Sequence, residues 1–444
     1  NLLRVICKQL IIQHTVEPYL RLALLLLLFS HLPASLGQPL IKDQKMSSTR
    51  THQAFYLMHS YAKRTGLSSY QPDKRYLWTD AFAVCNYLGL ARGTNTQAYT
   101  ELALKLISQV HHTLGQHRAD DVRSGWISGL DMDAGKNHPT IGGLRIGKAL
   151  PERGLNEAID SDLEWDRDGQ YFHYLSKWMH ALDLVARDTG QARYNLWARE
   201  LAATAFATFS YPPSDHEPRR MVWKMSIDLS RPQVSSMGQT DPLDGYITSL
   251  QLAATARMLP HSDAGPRLDN EIAGFARMIQ SSEWITDDPL GLGGLLMESY
   301  RVLQLNLQGT KTQPQLLEKL LDSAITGLRY YIHNDELQRP AQYRLAFREL
   351  GLAIGLHALE RMQQLLNRSG SEPKIKRLQA QLNTLLPYSE LSKQIEDFWL
   401  LPMHQQTSTW LEHQDINEVM LATSLEPEGC LELLPPGQNP QQVK

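Results

Sequence analysis

Apolar residues recur at spacings of three and four residues along most of this chain, and alternating runs of β-branched residues are almost absent. This periodicity predicts α-helices, because residues three and four apart lie on one helical face. Short turns with Gly, Pro or Asp separate the periodic windows, so the helices should pair as hairpins in an all-α fold. The predicted helices cover residues 52–64, 76–91, 96–115, 169–188, 191–209, 243–259, 266–281, 292–307, 314–333, 341–367, 372–385, 388–400 and 408–423.

An internal repeat defines one hairpin. Residues 92–106 match residues 187–201 at a constant offset, with turn residues and apolar positions in register, and the same offset pairs Tyr76 with Tyr171. Each copy holds an apolar helix, a turn, a Tyr and a more charged amphipathic helix. A single hairpin of this kind cannot bury its apolar face, so the hairpins must stack on one another.

The two helices of a hairpin differ in charge. Residues 76–91 contain one charged side chain, Asp80, and residues 246–256 contain none, whereas residues 96–115 and 191–209 carry charge on one face. An uncharged helix is typical of burial on all sides, and a one-sided helix is typical of contact with solvent. This alternation predicts two concentric layers, an (α/α)6 toroid, with an open superhelical solenoid as the alternative.

The connection between the first two hairpins is unusually long. Residues 117–168 contain several apolar anchors, and loops of this length are usually functional or disordered. We expect an ordered insertion that walls or covers the opening of the toroid, either as a long loop or with a small β-hairpin around residues 142–147. The helical toroid domain should span residues 46–425, and residues 426–444, rich in Pro, Gly and Gln, predict a disordered tail.

The N-terminal residues 1–45 form a separate hydrophobic segment. Residues 20–37 have the length and composition of a signal-peptide core and are too short for a comfortable membrane span. The first methionine, Met46, directly precedes the first predicted helix. We expect a cytoplasmic protein if translation starts at Met46, and export through the signal-like segment in the alternative case.

Charge and cysteine content argue against several classes of function. The 444 residues carry a formal net charge of −3, and the basic clusters are short, which disfavours a nucleic-acid partner. The three cysteines, Cys7, Cys85 and Cys430, lie far apart and form no CxxC pair, which is typical of simple packing in a reducing compartment. We expect no membrane partner, no cofactor and no bound metal, and the oligomeric state stays open.

Four histidines, His111, His112, His173 and His180, raise the question of a metal site. The chain has no HExxH motif, and His173 and His180 are separated by two turns of the same predicted helix. That separation is too large for both to bind one ion without a bend. We therefore interpret these histidines as structural groups or as hydrogen-bonding partners of a substrate.

Carboxylates and aromatic side chains cluster at the starts of the predicted inner helices. A run of acidic residues between positions 162 and 168 leads directly into a helix rich in aromatics and histidines, and Asp80 is the only charge in its helix. A buried carboxylate must be paired, protonated or exposed to a wet cavity, while N-terminal capping is the alternative role. In a toroid, the following side chains would converge on one funnel: Trp78, Asp80, Asp166, Asp168, Tyr171, His173, Asp244 and Tyr246.

The chain resembles the six-hairpin (α/α)6 toroid superfamily in three features. These are the alternation of hairpins over residues 52–423, the turn from Thr189 to Tyr194 that leads into Ala198 and Leu201, and the acid and tryptophan near the starts of inner helices. The superfamily includes glycoside hydrolases, unsaturated uronyl hydrolases and relatives of N-acylglucosamine 2-epimerase. The resemblance implies a carbohydrate-active site in the mouth of the toroid.

The implied activity is hydrolysis of a glycosidic bond in a sugar or oligosaccharide by paired carboxylates. Asp80 and either Asp168 or Asp166 would be the acid and base, and the Asp80→Asn and Asp168→Asn variants should lose turnover without unfolding. The expected substrate-binding residues are Trp78, Glu164, Trp165, Tyr171, His173, Asp244 and Tyr246. Two alternatives stay open: a sugar epimerase or isomerase with a His base, and a non-catalytic helical scaffold that binds a peptide or protein.

Overall fold

Helices account for most of the described chain, which confirms the all-α prediction. The computed structural model describes residues 49–214, 219–236, 238–260, 264–369 and 372–433. Its α-helices are, in chain order, α1 (Thr49–Arg64), α2 (Leu77–Thr94), α3 (Gln97–Leu114), α4 (Met132–Asn137), α5 (Ser161–Asp166), α6 (Phe172–Thr189), α7 (Ala192–Phe209), α8 (Asp241–Met258), α9 (Asp269–Met278), α10 (Pro289–Leu307), α11 (Leu316–His333), α12 (Ala346–Arg368), α13 (Pro373–Leu385), α14 (Glu390–Leu400), α15 (Ser408–Leu411), α16 (Gln414–Leu425) and α17 (Glu428–Leu431).

Two small antiparallel sheets accompany the helices. β1 (Gln170–Tyr171) pairs with β4 (Lys224–Met225), and β2 (Ser210–Tyr211) pairs with β3 (Arg220–Met221). In the first sheet Tyr171 lies opposite Lys224. Because β1 runs directly into α6, this pairing ties the segment after α7 to the N-terminal end of α6.

The helix boundaries reproduce the repeat predicted from the sequence. α2 and α3 correspond to α6 and α7 at the offset of the sequence repeat, both at their starts and at their ends. The turn residues Asn95 and Gly190 occupy equivalent positions, with left-handed φ values of 52° and 70°. Thr94 and Thr189 each donate a hydroxyl hydrogen bond of 2.7 Å to the carbonyl four residues earlier. The same local interactions therefore end the first helix of each hairpin.

Six of the helices contact one another in a closed order. α2 contacts α6, α6 contacts α8, α8 contacts α10, α10 contacts α12, α12 contacts α16, and α16 contacts α2. We call these six the central helices. Other helices pack against them: α1 and α3 on α2, α7 and α9 on α8, α11 on α10, and α13 and α14 on α12. The expected burial of a central helix on all sides is visible in α8, where residues 241–255 are all buried.

Glycines allow the closest approach between two central helices. A Cβ atom on Gly293 of α10 would lie 2.0 Å from the carbonyl oxygen of Gly351 on α12. A Cβ atom on Gly355 of α12 would lie 2.5 Å from the carbonyl oxygen of Gly293. Side chains larger than hydrogen would force the two backbones apart, so these glycines determine the spacing of α10 and α12.

The long insertion is ordered, but its predicted β-hairpin is absent. Residues 142–147 are among the described residues and form no strand. Instead, the backbone of Ile146 accepts a hydrogen bond of 3.0 Å from Leu77 and donates one of 2.8 Å to Gly169. The hairpin prediction is wrong because these polar groups pair with the starts of α2 and β1 rather than with each other. Residues 117–168 also contain the short helices α4 and α5.

Two predicted boundaries differ from the structure near the C-terminus. The helix predicted over residues 408–423 is divided by a turn into α15 and α16. The chain stays ordered beyond residue 426, where we expect the tail to begin, because α17 and the following residues bury Leu431 and Leu433. Composition misleads here, since a few apolar side chains within a Pro-rich and Gly-rich stretch are sufficient to anchor it.

The predicted terminal segments lie outside the described part of the chain. Residues 1–48, which include the signal-like stretch, and residues 434–444 are not among the described residues. All described residues belong to one compact unit, which begins at Met46. Among the helices that are described, none combines the length and the apolar character needed to cross a bilayer.

Candidate active site

A cavity of about 240 Å³ lies among the N-terminal ends of four central helices. Its lining residues belong to α2, α6, α8 and α10, together with Thr240 and Asp288, which directly precede α8 and α10. Cavities of this kind, with a few polar groups on an otherwise apolar wall, are typical of sites for small ligands. The lining residues are Trp78, His173, Lys177, Thr240, Asp241, Leu243, Asp244, Asp288, Leu290, Gly291, Gly294, Leu295 and Glu298.

Helix starts place three of the carboxylates in this cavity. Asp241 and Asp244 belong to the first turn of α8, where residues three apart share one face and the helix dipole favours negative charge. Pro242 fits between them because the first turn needs no backbone donor there. Asp288 caps α10 by accepting a hydrogen bond of 2.8 Å from the backbone N–H of Gly291. The same local rules that begin these helices therefore make the cavity acidic.

Lys177 of α6 connects two carboxylates in the cavity. Its Nζ atom lies 3.3 Å from Oδ2 of Asp244 and 3.6 Å from Oε1 of Glu298. Burial acts to lower the pKa of Lys177, but the two carboxylates outweigh it and raise this pKa overall. Glu298 is also bound at 2.7 Å by Arg301, one turn further along α10. The lysine therefore remains a cation that neutralises part of the acidic wall.

Glu298 keeps one unsatisfied oxygen in spite of these two cations. Its Oε2 atom is buried and accepts no hydrogen bond from any described residue. Burial raises the pKa of Glu298, against the effects of Arg301 and Lys177. A buried carboxylate oxygen without a donor is costly, so a ligand group or water that donates a hydrogen bond would be favoured there.

Asp241 has a different proton state from its neighbour. Burial and the negative charge of Asp244 raise the pKa of Asp241 to about 7, while Lys177 opposes the rise. Its Oδ2 atom is buried and has no donor among the described residues. Asp241 therefore retains a proton near neutral pH, beside Asp244, which forms the ion pair with Lys177. Burial beside another carboxylate thus favours the protonated form of Asp241 near neutral pH.

A series of aromatic rings leads from solvent to the cavity. Trp165 is 58% exposed and contacts Trp223 with ring centroids 5.1 Å apart. Trp223 lies 5.0 Å from Tyr171, which stacks on His173 at 5.7 Å, and His173 lies 5.7 Å from Trp78. The insertion, the segment after α7 and the start of α6 each contribute to this series, which we call the aromatic track. Only its outer members, exposed Trp165 and partly exposed Trp223, offer apolar faces for ring-shaped ligands, because Tyr171 is buried.

His173 joins the aromatic track to the cavity as a neutral group. Burial lowers its pKa to about 4, with Asp244 raising it and Lys177 lowering it further. Near neutral pH the imidazole is therefore uncharged and can both donate and accept one hydrogen bond. This agrees with the expected hydrogen-bonding role and makes His173 a weak base.

The structure brings three of the predicted funnel residues together. Trp78, His173 and Asp244 line the cavity. Tyr171 contributes to the aromatic track next to them. Tyr246 is turned away, because its hydroxyl accepts a hydrogen bond of 3.0 Å from the backbone N–H of Gln313, beyond the cavity wall.

Asp80 is fully buried, and its carboxylate accepts hydrogen bonds from groups around the start of its own helix, α2. Oδ1 accepts a hydrogen bond from the hydroxyl of Tyr61 and lies 3.5 Å from Arg75. Oδ2 accepts a hydrogen bond of 2.9 Å from the backbone N–H of Tyr76. Burial raises the pKa of this carboxyl group. The geometry favours the capping and pairing role, and Asp80 is not among the residues that line the described cavity.

Asp168 is likewise fully buried among partners from the insertion. Its Oδ2 atom lies 2.6 Å from Arg145 and 3.3 Å from Arg118, and Oδ1 accepts a hydrogen bond of 3.0 Å from the backbone N–H of Gly147. This carboxylate holds the insertion against the residues before β1. Its predicted catalytic role stays a prediction, and the geometry favours a structural role.

The remaining predicted residues surround the aromatic track rather than the cavity. Glu164 is buried with Lys224 and Arg153, each at 3.5 Å. Its neighbours Trp165 and Asp166 are exposed. The acidic run before α6 therefore divides into two buried ion-pair residues, Glu164 and Asp168, and side chains that are exposed to solvent.

Four charged residues of the cavity are absent from the predicted site: Lys177, Asp241, Asp288 and Glu298. The signal that singled out Asp80, a charge within an otherwise apolar helix, also applies to Glu298 in α10. Asp241 shares the first turn of α8 with Asp244. Lys177 gives no such signal, because its distance to the two carboxylates depends on the contacts of α6 with α8.

Comparison with known proteins adds no relative. The chain matches no known protein family, and no curated protein resembles it in sequence.

Proposed function

We propose that this protein is an enzyme that hydrolyses a glycosidic bond in a sugar or oligosaccharide. The supporting observation is that one cavity holds a carboxyl group that is protonated near neutral pH, Asp241, beside a lysine-paired carboxylate, Asp244. Glycosidases use such a pair, in which one carboxyl group donates a proton and the other acts as base or nucleophile. Asp241 and Asp244 replace Asp80 and Asp168 as the acid and base of the proposal.

We further propose that the domain is an (α/α)6 toroid. The closed order of contacts among the six central helices supports this arrangement, as does the packing of further helices against them. An open solenoid has a first and a last repeat that do not touch, whereas α16 contacts α2. The cavity at the N-terminal ends of the central helices then corresponds to the mouth of the toroid.

In the proposed mechanism Asp241 donates its proton to the oxygen of the leaving group as the glycosidic C–O bond breaks. Asp244 either removes a proton from the attacking water molecule or attacks the anomeric carbon itself; in the second case a water molecule, deprotonated by Asp241, then displaces Asp244 and releases the sugar. Lys177 holds Asp244 in place through the contact of 3.3 Å. The negative charge of Asp244 favours the return of a proton to Asp241 after each turnover, because it raises the pKa of Asp241.

The aromatic track supports an oligosaccharide rather than a single sugar. It extends from exposed Trp165 through Trp223 and Tyr171 to His173 in the cavity wall. Sugar rings pack on aromatic faces, so units on one side of the cleaved bond would pack on the rings of Trp165 and Trp223, which buried Tyr171 supports from within the protein. The unsatisfied Oε2 atom of Glu298 would accept a hydrogen bond from a sugar hydroxyl inside the cavity.

The two alternatives fit this site less well. An epimerase would use a histidine base, but burial lowers the pKa of His173 to about 4, well below the pH at which a general base is most effective. A peptide-binding scaffold would not need a carboxyl group whose pKa is raised to about 7 beside a second carboxylate, as for Asp241 beside Asp244. Burying such a group is costly, and a proton-transfer role would account for it.

The test is a screen of the full chain against aryl glycosides, unsaturated uronides and a panel of polysaccharides, with release of reducing sugar as the readout. For a substrate that is cleaved, Asp241→Asn and Asp244→Asn should each lower kcat by about 10²- to 10⁴-fold, the usual contribution of one proton-transfer group. NMR of the first-formed anomer would then decide whether Asp244 acts as base or as nucleophile.

Asp269→Asn is the matched control. Asp269 also lies in the first turn of a helix, α9, but its side chain is exposed and outside the cavity. This variant should keep full activity and an unchanged melting temperature. Wild-type turnover in folded Asp241→Asn and Asp244→Asn variants would remove the proposal, and so would the absence of sugar release from every substrate class tested.

A further inference from the structure

A second group of reactive side chains lies deeper among the central helices. Cys85 of α2, His180 of α6 and Cys430 of α17 are all buried, and each offers one ligand atom within 4.8 Å of the other two. Both cysteines are free thiols. The three residues come from parts of the chain that are far apart in sequence, so no local sequence motif identifies the group. We call it the Cys–His–Cys group.

Close backbone contact positions the two cysteines. A Cβ atom on Gly429, next to Cys430, would lie 2.3 Å from the carbonyl oxygen of Cys85. A Cβ atom on Gly89 of α2 would in turn lie 3.0 Å from the Cα atom of Gly429. Only glycine fits these positions, so α17 approaches α2 closely enough to bring the two sulfur atoms together. Ordinary apolar packing does not require such an approach.

The orientation of His180 is determined by a second set of hydrogen bonds. Its Nδ1 atom lies 3.1 Å from Oε1 of Gln251. The amide of Gln251 cannot be turned around, because its Nε2 donates to Asp183 at 2.7 Å and its Oε1 accepts from Arg301 at 3.1 Å. Nδ1 must therefore carry the proton. Metal-binding histidines usually donate their second ring nitrogen to an oxygen in this way.

The other ring nitrogen of His180, Nε2, faces the backbone of Cys430. Nε2 lies 2.9 Å from the carbonyl oxygen of Cys430. With a proton on Nδ1, Nε2 carries either a second proton, which it donates to this carbonyl oxygen, or a lone pair that a cation can accept. A cation bound by Nε2 and the two sulfur atoms would take the place of that second proton. Zinc prefers this combination of thiolate and imidazole ligands.

From this geometry we infer that the Cys–His–Cys group binds one zinc ion through Sγ of Cys85, Sγ of Cys430 and Nε2 of His180. Zinc ligand distances of about 2.0 to 2.3 Å require the three atoms to approach within roughly 4 Å of one another, a small adjustment from the present separations. On binding, Zn²⁺ replaces the two thiol protons, which leave to solvent, so the buried zinc and its two thiolates together carry no net charge. This site is separate from Asp241 and Asp244 and does not depend on the proposed hydrolase activity.

A fourth ligand position faces a narrow space of about 10 Å³ that Cys85, His180 and Cys430 share with Lys177, Arg301 and Glu298. That volume is close to the minimum for one water molecule. A zinc-bound water there could donate a hydrogen bond to the unsatisfied Oε2 atom of Glu298. Three protein ligands and one water are typical of zinc sites that remain open to a ligand.

The direct test is the zinc content of the full chain, purified under reducing conditions without a polyhistidine tag and without chelator. We expect about one zinc ion per chain by inductively coupled plasma mass spectrometry. After removal of zinc by a chelator, cobalt(II) should bind and give the thiolate-to-cobalt charge-transfer absorption in the near ultraviolet. The melting temperature of the wild type should fall on chelation and recover when zinc is added, because the metal binds the folded state.

Variants assign the ligands. Cys85→Ser, Cys430→Ser and His180→Gln should each lose most of the zinc, and the cysteine variants should weaken the cobalt charge-transfer band. His112→Gln is the matched control, which should keep the metal because His112 is exposed on α3 and is not one of the three residues. If any ligand variant fails to fold, the chelation and cobalt experiments on the wild type still decide the question.

Two outcomes would overturn the zinc site. One is reduced wild-type protein that contains no zinc and takes up neither zinc nor cobalt. The other is peptide mapping under native oxidising conditions that finds a Cys85–Cys430 disulfide, together with no metal uptake after reduction. The second result would assign the two thiols a redox role instead.

Discussion

The ammonium group of Lys177 lies 3.3 Å from the carboxylate of Asp244, and both side chains are nearly buried at the contact of α6 with α8. The same ammonium group lies 3.6 Å from Glu298 on α10. One cation thus serves carboxylates from two neighbouring central helices. It stabilises the folded protein and the charge distribution of the cavity at the same time.

Replacing Lys177 by Met should destabilise the protein strongly. The substitution leaves the carboxylates of Asp244 and Glu298 buried without this cation, and removal of one partner from a buried ion pair costs about 3 to 5 kcal/mol. Denaturant unfolding would measure the loss. Lys393→Met, which removes a lysine from an exposed pair with Asp397, should leave the free energy of unfolding unchanged. Equal stability of the two variants would contradict the structural role of Lys177.

Asp241 should make stability depend on pH. Its pKa is raised to about 7 in the folded protein, so the folded state binds a proton more tightly than the unfolded state, in which the pKa is near the ordinary 3.8. The resulting stabilisation is present at low pH and is lost as the pH rises from about 4 through 7. Asp241→Asn should remove this dependence and, at pH 8, exceed the wild type in unfolding free energy by at most about 4 kcal/mol.

The measurement is the difference in unfolding free energy between wild type and Asp241→Asn as a function of pH. The two curves should run parallel below about pH 4, diverge between pH 4 and 7, and run parallel again above the folded-state pKa of about 7. Curves that run parallel over this whole range would show that Asp241 titrates normally, and the assignment of Asp241 as the proton donor would lose its basis.

Asp168→Asn tests whether this buried carboxylate is structural. The variant leaves Arg145 without a negative partner and removes one of the two carboxylates that contact Arg118, and the loss should be about 3 to 5 kcal/mol of unfolding free energy. Asp166→Asn, two residues away and exposed, should have no effect on unfolding. A stable Asp168→Asn variant that loses turnover would instead support the catalytic role that the sequence predicts for Asp168.

Trp165 should contribute to binding of long substrates without contributing to stability. Its ring is 58% exposed and lies at the outer end of the aromatic track. Trp165→Ala should raise KM for an oligosaccharide by about 2- to 10-fold, the value of one aromatic contact, and leave KM for a short aryl glycoside unchanged. Tyr56→Ala, which removes another exposed aromatic ring far from the track in sequence, should change neither KM. An identical increase for both substrates would argue against the track.

The helices could be predicted because their causes are local. The repeat between residues 92–106 and 187–201 predicts the hairpins of α2 with α3 and α6 with α7, and their turns use equivalent Asn95 and Gly190. Nothing in the local sequence argues against the β-hairpin predicted at residues 142–147, although the structure has none there. Its polar groups find partners at the starts of α2 and β1, which are distant in the chain.

The candidate site could be predicted only in part. Trp78, His173 and Asp244 lie at helix starts that line the cavity, as expected. Asp80 and Asp168 carry the same sequence signal, a carboxylate beside a helix start, yet their oxygens bond to Tyr61 and Arg145. Sequence spacing gives the position of a carboxylate along a helix. It does not give the partner that approaches from another element.

The amino-acid sequence by itself determined the helical class, the hairpin repeat and the acidic helix starts, because periodicity, capping and turn preferences act over a few residues. Tertiary structure alone decided which carboxylates meet a cation and which face a cavity. It also decided that Cys85, His180 and Cys430 lie together. The physical reason is that burial, charge pairing and metal geometry depend on distances between atoms that the chain separates by tens or hundreds of residues.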